Sequence, residues 1–162
     1  IIAPFGKSWK YIIPSFKWID IFHCNSAEAS NITGESNLWR AARKMAGMGV
    51  KACLVTMGAQ GTIAKVPGAE IEIPAFKVPV IDPTGAGDAL CAGIIFQLAK
   101  EKMDIAELAP KDWTDMLIYA SACGAACCKA AGTTASVSPA YINQILKEQR
   151  RILLKHTKIH FR

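Results

Sequence analysis

Short β-favouring apolar runs alternate in this chain with stretches whose apolar residues recur at helical spacing, and few folds accommodate that alternation. Ile19 to Cys24 reads as a buried strand ending at Asn25. Ser26 to Asn31 reads as a short helix, closed by the turn-forming Thr33-Gly34. From Ser36 to Met48, Leu38, Ala41, Ala42, Met45 and Ala46 keep helical spacing, and Gly47 and Gly49 stop the helix. Lys51 to Met57 is a second buried strand, followed by a tight turn bracketed by Gly58 and Gly61. Thr62 to Val66 and Glu70 to Ile73 form a hairpin around Pro67-Gly68. Phe76 to Ile81 leads into a glycine-rich turn. Three long helices complete the pattern: Ala86 to Lys100, Trp113 to Ala131, and a basic, amphipathic Pro139 to Leu154 with Ser138 as its cap. The expectation is an α/β layer with a mainly parallel sheet and an antiparallel edge from the hairpin.

Composition narrows the function classes. With 162 residues, 51% hydrophobic and 20% charged, the chain can bury a core without disulfides or a structural metal. No apolar run reaches the ~18 residues that span a membrane. The longest, Ala120 to Ala131, is interrupted by Lys129. The net charge of +6 gathers in the tail, where Lys147, Arg150, Arg151, Lys155, Lys158 and Arg162 face only Glu148. No nucleic-acid-binding signature accompanies it, so no nucleic-acid partner is expected. The six cysteines (Cys24, Cys53, Cys91, Cys123, Cys127, Cys128) form no Cys-x-x-Cys pair and read as small core residues in a reducing, cytoplasmic setting. His23, His156 and His160 show no partner spacing and are expected in ordinary core or surface roles. Trp9, Trp18, Trp39 and Trp113 are expected to pack rather than to stack on a substrate. The chain opens Ile1-Ile2-Ala3-Pro4, with no initiator Met and no secretory leader, and is expected to be a piece of a longer protein.

The stretch Val80 to Gly93 carries the chemistry. It reads as a strand, a glycine turn and a helix start, where free N–H groups and the helix dipole favour an anion. Gly85 and Gly87 leave room for a phosphate to approach the backbone, although glycines at such a corner can also serve the turn alone. Asp88 would repel a resting phosphate, and makes sense if it faces an attacking hydroxyl and takes its proton. Two nucleotide motifs are excluded. A Walker A loop needs Gly-x-x-x-x-Gly-Lys-Ser/Thr, and no glycine of this stretch is followed by that Lys. Gly85-Ala86-Gly87 is followed by Leu90 where the dinucleotide fingerprint has glycine. Asn25 and Glu28, taken alone, could be a helix cap and a first-turn acid.

Asp82-Pro83-Thr84-Gly85-Ala86-Gly87-Asp88, followed by Ala92-Gly93-Ile94-Ile95, resembles the C-terminal signature of the ribokinase-like, PfkB-type carbohydrate kinases. Asn25-Ser26-Ala27-Glu28 with Thr33-Gly34 resembles the family's Asn-x-x-Glu segment. Leu54 to Gly61 resembles its Thr-x-Gly-x-x-Gly strand and turn. The resemblance covers roughly residues 18 to 146. It implies a Rossmann-like three-layer α/β/α fold with a mainly parallel sheet. Residues 1–162 would be the C-terminal, nucleotide-binding and catalytic-base part of a single kinase domain.

The family's N-terminal strands, sugar-binding segment and β-sheet lid are not recognisable, and Ile1 to Ile13 reads as a strand-and-loop stretch from midway through such a protein. The resemblance implies ATP, Mg²⁺ and K⁺ as cofactors and a small sugar-like substrate, with a homodimer as one assembly. It implies Asp88 as catalytic base and the N–H groups of Gly85, Ala86 and Gly87 as the anion hole. Asn25 and Glu28 would organise Mg²⁺ through water, and Thr56, Gly58 and Gly61 would line the ATP phosphates and ribose. Asp82, with carbonyls around Ala130 to Gly132, would hold the monovalent cation, and the segment Cys123 to Ser138 would pass near the adenine. A nucleoside or vitamin-precursor kinase, or a non-catalytic nucleotide-binding relative, are the alternatives.

Overall fold

The computed structural model describes residues 9–102, 104–132 and 135–161. After a 3-10 helix (Trp9–Trp18), the chain runs β1 (Ile21–Asn25), α1 (Ser26–Thr33), α2 (Leu38–Gly47), β2 (Ala52–Thr56), β3 (Thr62–Val66) and β4 (Ala69–Ile73). Then come α3 (Ala86–Glu101), α4 (Pro110–Cys127), α5 (Pro139–His156) and β5 (Lys158–Phe161). The five strands form one sheet in sequence order.

Local chemistry sets the boundaries. The Asn25 side chain caps α1, and Gly34, with φ of +75°, closes it by donating its N–H to the Ser30 carbonyl at 2.7 Å. Asn37 caps α2, Pro110 opens α4 and Ser138 caps α5. Successive strand residues point to opposite faces and both faces are covered, so β2 is buried along nearly its whole length. Leu54, Ala64 and Ile71 pack against α3, α4 and α5. Cys53, Val55 and Ile63 pack with Phe22 and Cys24 against α1, α2 and Phe16 of the 3-10 helix. The result is three layers, helix, sheet and helix.

Three expectations change. The sheet is not mainly parallel among the described residues: β1–β2 pair parallel, whereas β2–β3, β3–β4 and β4–β5 are antiparallel. The crossover through α1 and α2 lets β1 and β2 pair parallel, whereas the short turns after β2 and β3 make those pairs antiparallel, and β5, reached through three helices, joins β4 antiparallel as well. Second, residues 76–81 form no strand. Prolines at 74, 79 and 83 remove backbone donors. Several of the other groups bond elsewhere: Gln149 bonds both the N–H and the carbonyl of Lys77 at 2.9 Å, and the Cys128 carbonyl accepts from Ile81 and Asp82. Third, the basic tail ends in β5, which pairs with β4 and sets Lys158 3.3 Å from Glu72. Of the Ile1 to Ile13 stretch, residues 1–8 lie outside the described residues, and Trp9 to Ile13 are in the 3-10 helix rather than a strand. Trp113 is fully buried within α4, whereas Trp18 is 79% exposed.

The closest helix contact is between α3 and α4, and glycine permits it. A Cβ on Gly93 would lie 2.8 Å from the Ala120 Cα and 2.9 Å from the Cys123 Sγ. A Cβ on Gly124 would lie 3.0 Å from the Ala86 carbonyl oxygen. Gly93→Val should therefore force the helices apart and cost about 1–3 kcal/mol of stability, as overpacking does. Urea denaturation of both forms checks it.

Candidate functional site

The C-terminal ends of β1 and β2 and the first turn of α3 meet at one end of the sheet. Asn25 and Thr56 are register partners at the last positions of the two parallel strands. Asn25 Oδ1 accepts from the Glu28 N–H at 2.9 Å, and Glu28 Oε2 accepts from the Asn25 N–H at 2.9 Å. The pair is thus a reciprocal capping box, which engages only Oε2 of the Glu28 carboxylate. The next turn places Gly58 at a φ of +57° with open space over its Cα. Gly61 has a different reason to be glycine: a Cβ there would fall 2.1 Å from the Ile73 carbonyl oxygen. It is buried against the end of β4, not turned to open space.

The glycine turn is held from two sides. Gly85 caps α3 in the left-handed region, with φ of +83°. The Ala86 N–H donates to the Pro83 carbonyl at 3.1 Å, and the Ala89 N–H to the Gly85 carbonyl at 2.8 Å. No hydrogen bond to another described residue engages the N–H groups of Gly85, Gly87 or Asp88. Asp88 is exposed in the first helical turn, where the helix dipole favours a carboxylate. From the α4 side, the Cys127 thiol donates to the Thr84 carbonyl at 3.4 Å. Burial raises that thiol's pKa, so it stays a donor. Asp82 Oδ1 accepts from the Thr84 N–H at 2.9 Å, and Oδ2 from the Gly132 N–H at 3.4 Å. The Thr84 side chain above all, then the two backbone donors, hold the Asp82 carboxyl below its ordinary pKa.

His23 comes from the sheet side. Strand alternation turns it away from Phe22 and Cys24, toward α3. Its Nε2 lies 3.1 Å from Thr56 Oγ1, and its Cε1 lies 2.9 Å from where a Gly87 Cβ would stand. Burial lowers its pKa, while the nearby carboxylates of Glu28 and Asp88 oppose the shift.

The arrangement thus gathers Asn25, Glu28, Thr56 and Gly58 with Gly85, Ala86, Gly87 and Asp88. Asp82 and Gly132 bond each other beside Thr84, at the α4 side of the turn. Residues 133 and 134 of the Cys123 to Ser138 segment lie outside the described residues. Sequence reasoning missed His23, Cys127 and Gly124. For His23 a signal existed, since alternation put it on the opposite face from Phe22 and Cys24. For the other two, only the approach of α4 reveals the contact. Chemically, the site offers unpaired N–H donors at a helix N-terminus with a carboxylate at their edge, which suits an anion approached by a proton-bearing nucleophile.

The chain is similar to known carbohydrate kinases over most of its length. The pattern of the pfkB family carbohydrate kinases matches residues 11–140. The aminoimidazole riboside kinase of Salmonella typhimurium is 34% identical over 122 residues, which cover 74% of this chain and 36% of that protein. The crystal structure of aminoimidazole riboside kinase from Salmonella enterica, complexed with aminoimidazole riboside and an ATP analog, superposes with a TM-score of 0.77 at 25% identity. It covers 89% of this chain and 48% of that one. Fructokinase from Vibrio cholerae, in its fructose-, ADP- and calcium-bound form, gives 0.74 at 22% identity, covering 85% and 44%. The chain spans less than half the length of these relatives.

Asn25→Ala removes the cap acceptor while leaving the strand intact. It should cost about 1 kcal/mol of stability, the usual value of an N-cap, measurable by urea denaturation.

Proposed function

The chain belongs to the PfkB family of carbohydrate kinases, and from that premise we propose that the protein transfers the γ-phosphoryl group of ATP to a hydroxyl of a small sugar or sugar-like molecule. The observation that carries this reading is the first turn of α3: unpaired N–H groups on Gly85 and Gly87 beside the exposed carboxylate of Asp88.

The residues present fit a nucleotide phosphate. Gly58 leaves its backbone uncovered, and the α3 turn points donors outward at the positive end of a 16-residue helix. ATP, with Mg²⁺, supplies the phosphoryl group and neutralises its charge. Asp88 takes the proton of the acceptor hydroxyl as its oxygen attacks. Gly85 and Gly87 donate N–H bonds to charge that develops on the transferring group, and the Ala86 N–H joins them if it leaves Pro83. Glu28 Oε1, outside the capping box, would help hold a hydrated Mg²⁺, with Asn25 fixing the Glu28 backbone. Thr56 and Gly58 border the phosphates. Asp82 and the carbonyls of residues 130–132 would hold K⁺, the Asp82 carboxylate having lone pairs left over from its two N–H bonds. The reading places the protein in the cytoplasm, with its ATP. A nucleoside acceptor is the second reading, favoured by the 34% identity to a riboside kinase.

The test is ADP release by the full-length protein with Mg-ATP and K⁺ across sugars and nucleosides. Asp88→Asn should bind ATP as before while turnover falls by about 10²–10⁴-fold, the usual worth of a general base. Turnover unchanged in Asp88→Asn would refute the base assignment.

A further inference from the structure

The glycine turn that begins α3 has little stiffness of its own. Gly85 and Gly87 contribute no side chains, and the turn is tied internally by Ala86 N–H to Pro83, Ala89 N–H to Gly85 and Thr84 N–H to the Asp82 carboxylate. Its α4 flank is secured by the Cys127 thiol on the Thr84 carbonyl and by Gly124 packed under Ala86. On the sheet flank the His23 ring meets it. Nδ1 and Nε2 both lie 3.8 Å from the ideal Gly87 Cβ position and Cε1 only 2.9 Å, so the imidazole presents its Cε1 edge to that residue. The other end of the contact is anchored. Thr56 Oγ1 lies 3.5 Å from the Cys24 carbonyl oxygen and 3.1 Å from Nε2, so a hydroxyl that donates to Cys24 has its oxygen placed to accept from Nε2.

We propose that His23 is a positioning residue for phosphoryl transfer: its imidazole, carrying a proton on Nε2 and anchored by Thr56, is the strut that sets Gly87 and Asp88 above the strand ends. The inference rests on the kinase reading of the site. The ring crowds residue 87, where a Cβ would stand 2.9 Å from Cε1 and one of the two would have to shift. It also links three segments that are far apart in sequence: β1, the end of β2 and the start of α3. A displacement of about 1 Å at such a place costs as much as ~10²-fold in rate, because the donors and the base must both meet the reacting atoms. Ground-state nucleotide binding, spread over many contacts, should feel it much less.

The experiment uses the full-length protein and three variants: His23→Ala, His23→Gln and the double variant His23→Ala/Gly87→Ala. Glutamine can return an amide N–H to the place of Nε2. His23→Ala should lower kcat about 10-fold or more with KM for ATP within about twofold, and His23→Gln should recover most of kcat. The double variant should be no less stable than His23→Ala, because the vacated ring space accepts the new methyl. An unchanged kcat in His23→Ala, or no recovery in His23→Gln, would overturn the proposal.

Nuclear magnetic resonance separates this from failure of the kinase reading. If the wild-type protein transfers no phosphoryl group, the Gly87 and Asp88 amide resonances should still move in His23→Ala and return in His23→Gln. Unmoved resonances would overturn the strut itself. Should His23→Ala fail to fold, the ring nitrogens of the wild-type protein decide: a proton on Nε2 supports the strut, and a proton on Nδ1 alone overturns it.

Discussion

Everything at the site depends on how closely α4 lies against α3. Two glycines make that contact, Gly93 over Ala120 and Gly124 under the Ala86 carbonyl. Side chains at either position would hold the helices apart, and α3 could not start where it does. With the helices in contact, the end of α4 reaches the loop before α3. There the Cys128 carbonyl takes the N–H groups of Ile81 and Asp82, and Cys127 takes the Thr84 carbonyl. The loop is thus tied into place without a strand partner. Its last residues are free to leave N–H groups unpaired, an arrangement tolerable only at an exposed helix N-terminus.

The sheet supplies the opposite wall. Parallel pairing of β1 and β2 brings Asn25 and Thr56 to the same level, and one of the two strands continues directly into a helix. The Asn25–Glu28 capping box secures that helix, so one pair of side chains carries both the local stability and the candidate cation-binding carboxylate. The two roles do not compete, since the cap engages only Oε2 of Glu28. His23 closes the gap between the walls.

Much of this could be read from the sequence because its causes are local. Asn25 and Glu28 sit at the spacing of a capping box, and Gly34 stops α1 where a left-handed residue is needed. The glycine turn lies at the start of α3, as its spacing requires. What could not be read depends on neighbours distant in sequence. Residues 76–81 have strand-like composition, but their hydrogen-bond partners are Gln149 and the end of α4. Lys158 to Phe161 looks like a charged tail, yet Glu72 and the open edge of β4 make it a strand. His23 looks ordinary until the register of β1 on β2 and the approach of α3 are known. The mixed sheet has the same origin: alternation of strands and helices shows an α/β fold, whereas the direction of β5, reached through three helices, is set only by its pairing with the distant β4.

The central claim is that the first turn of α3 receives a nucleotide phosphate. Titrating the isotope-labelled full-length protein with Mg-ATP while following its amide resonances tests this most directly. The account predicts that Gly85, Gly87 and Asp88 shift together and saturate with Gly58. Saturable ATP binding that leaves those amides unmoved would contradict it.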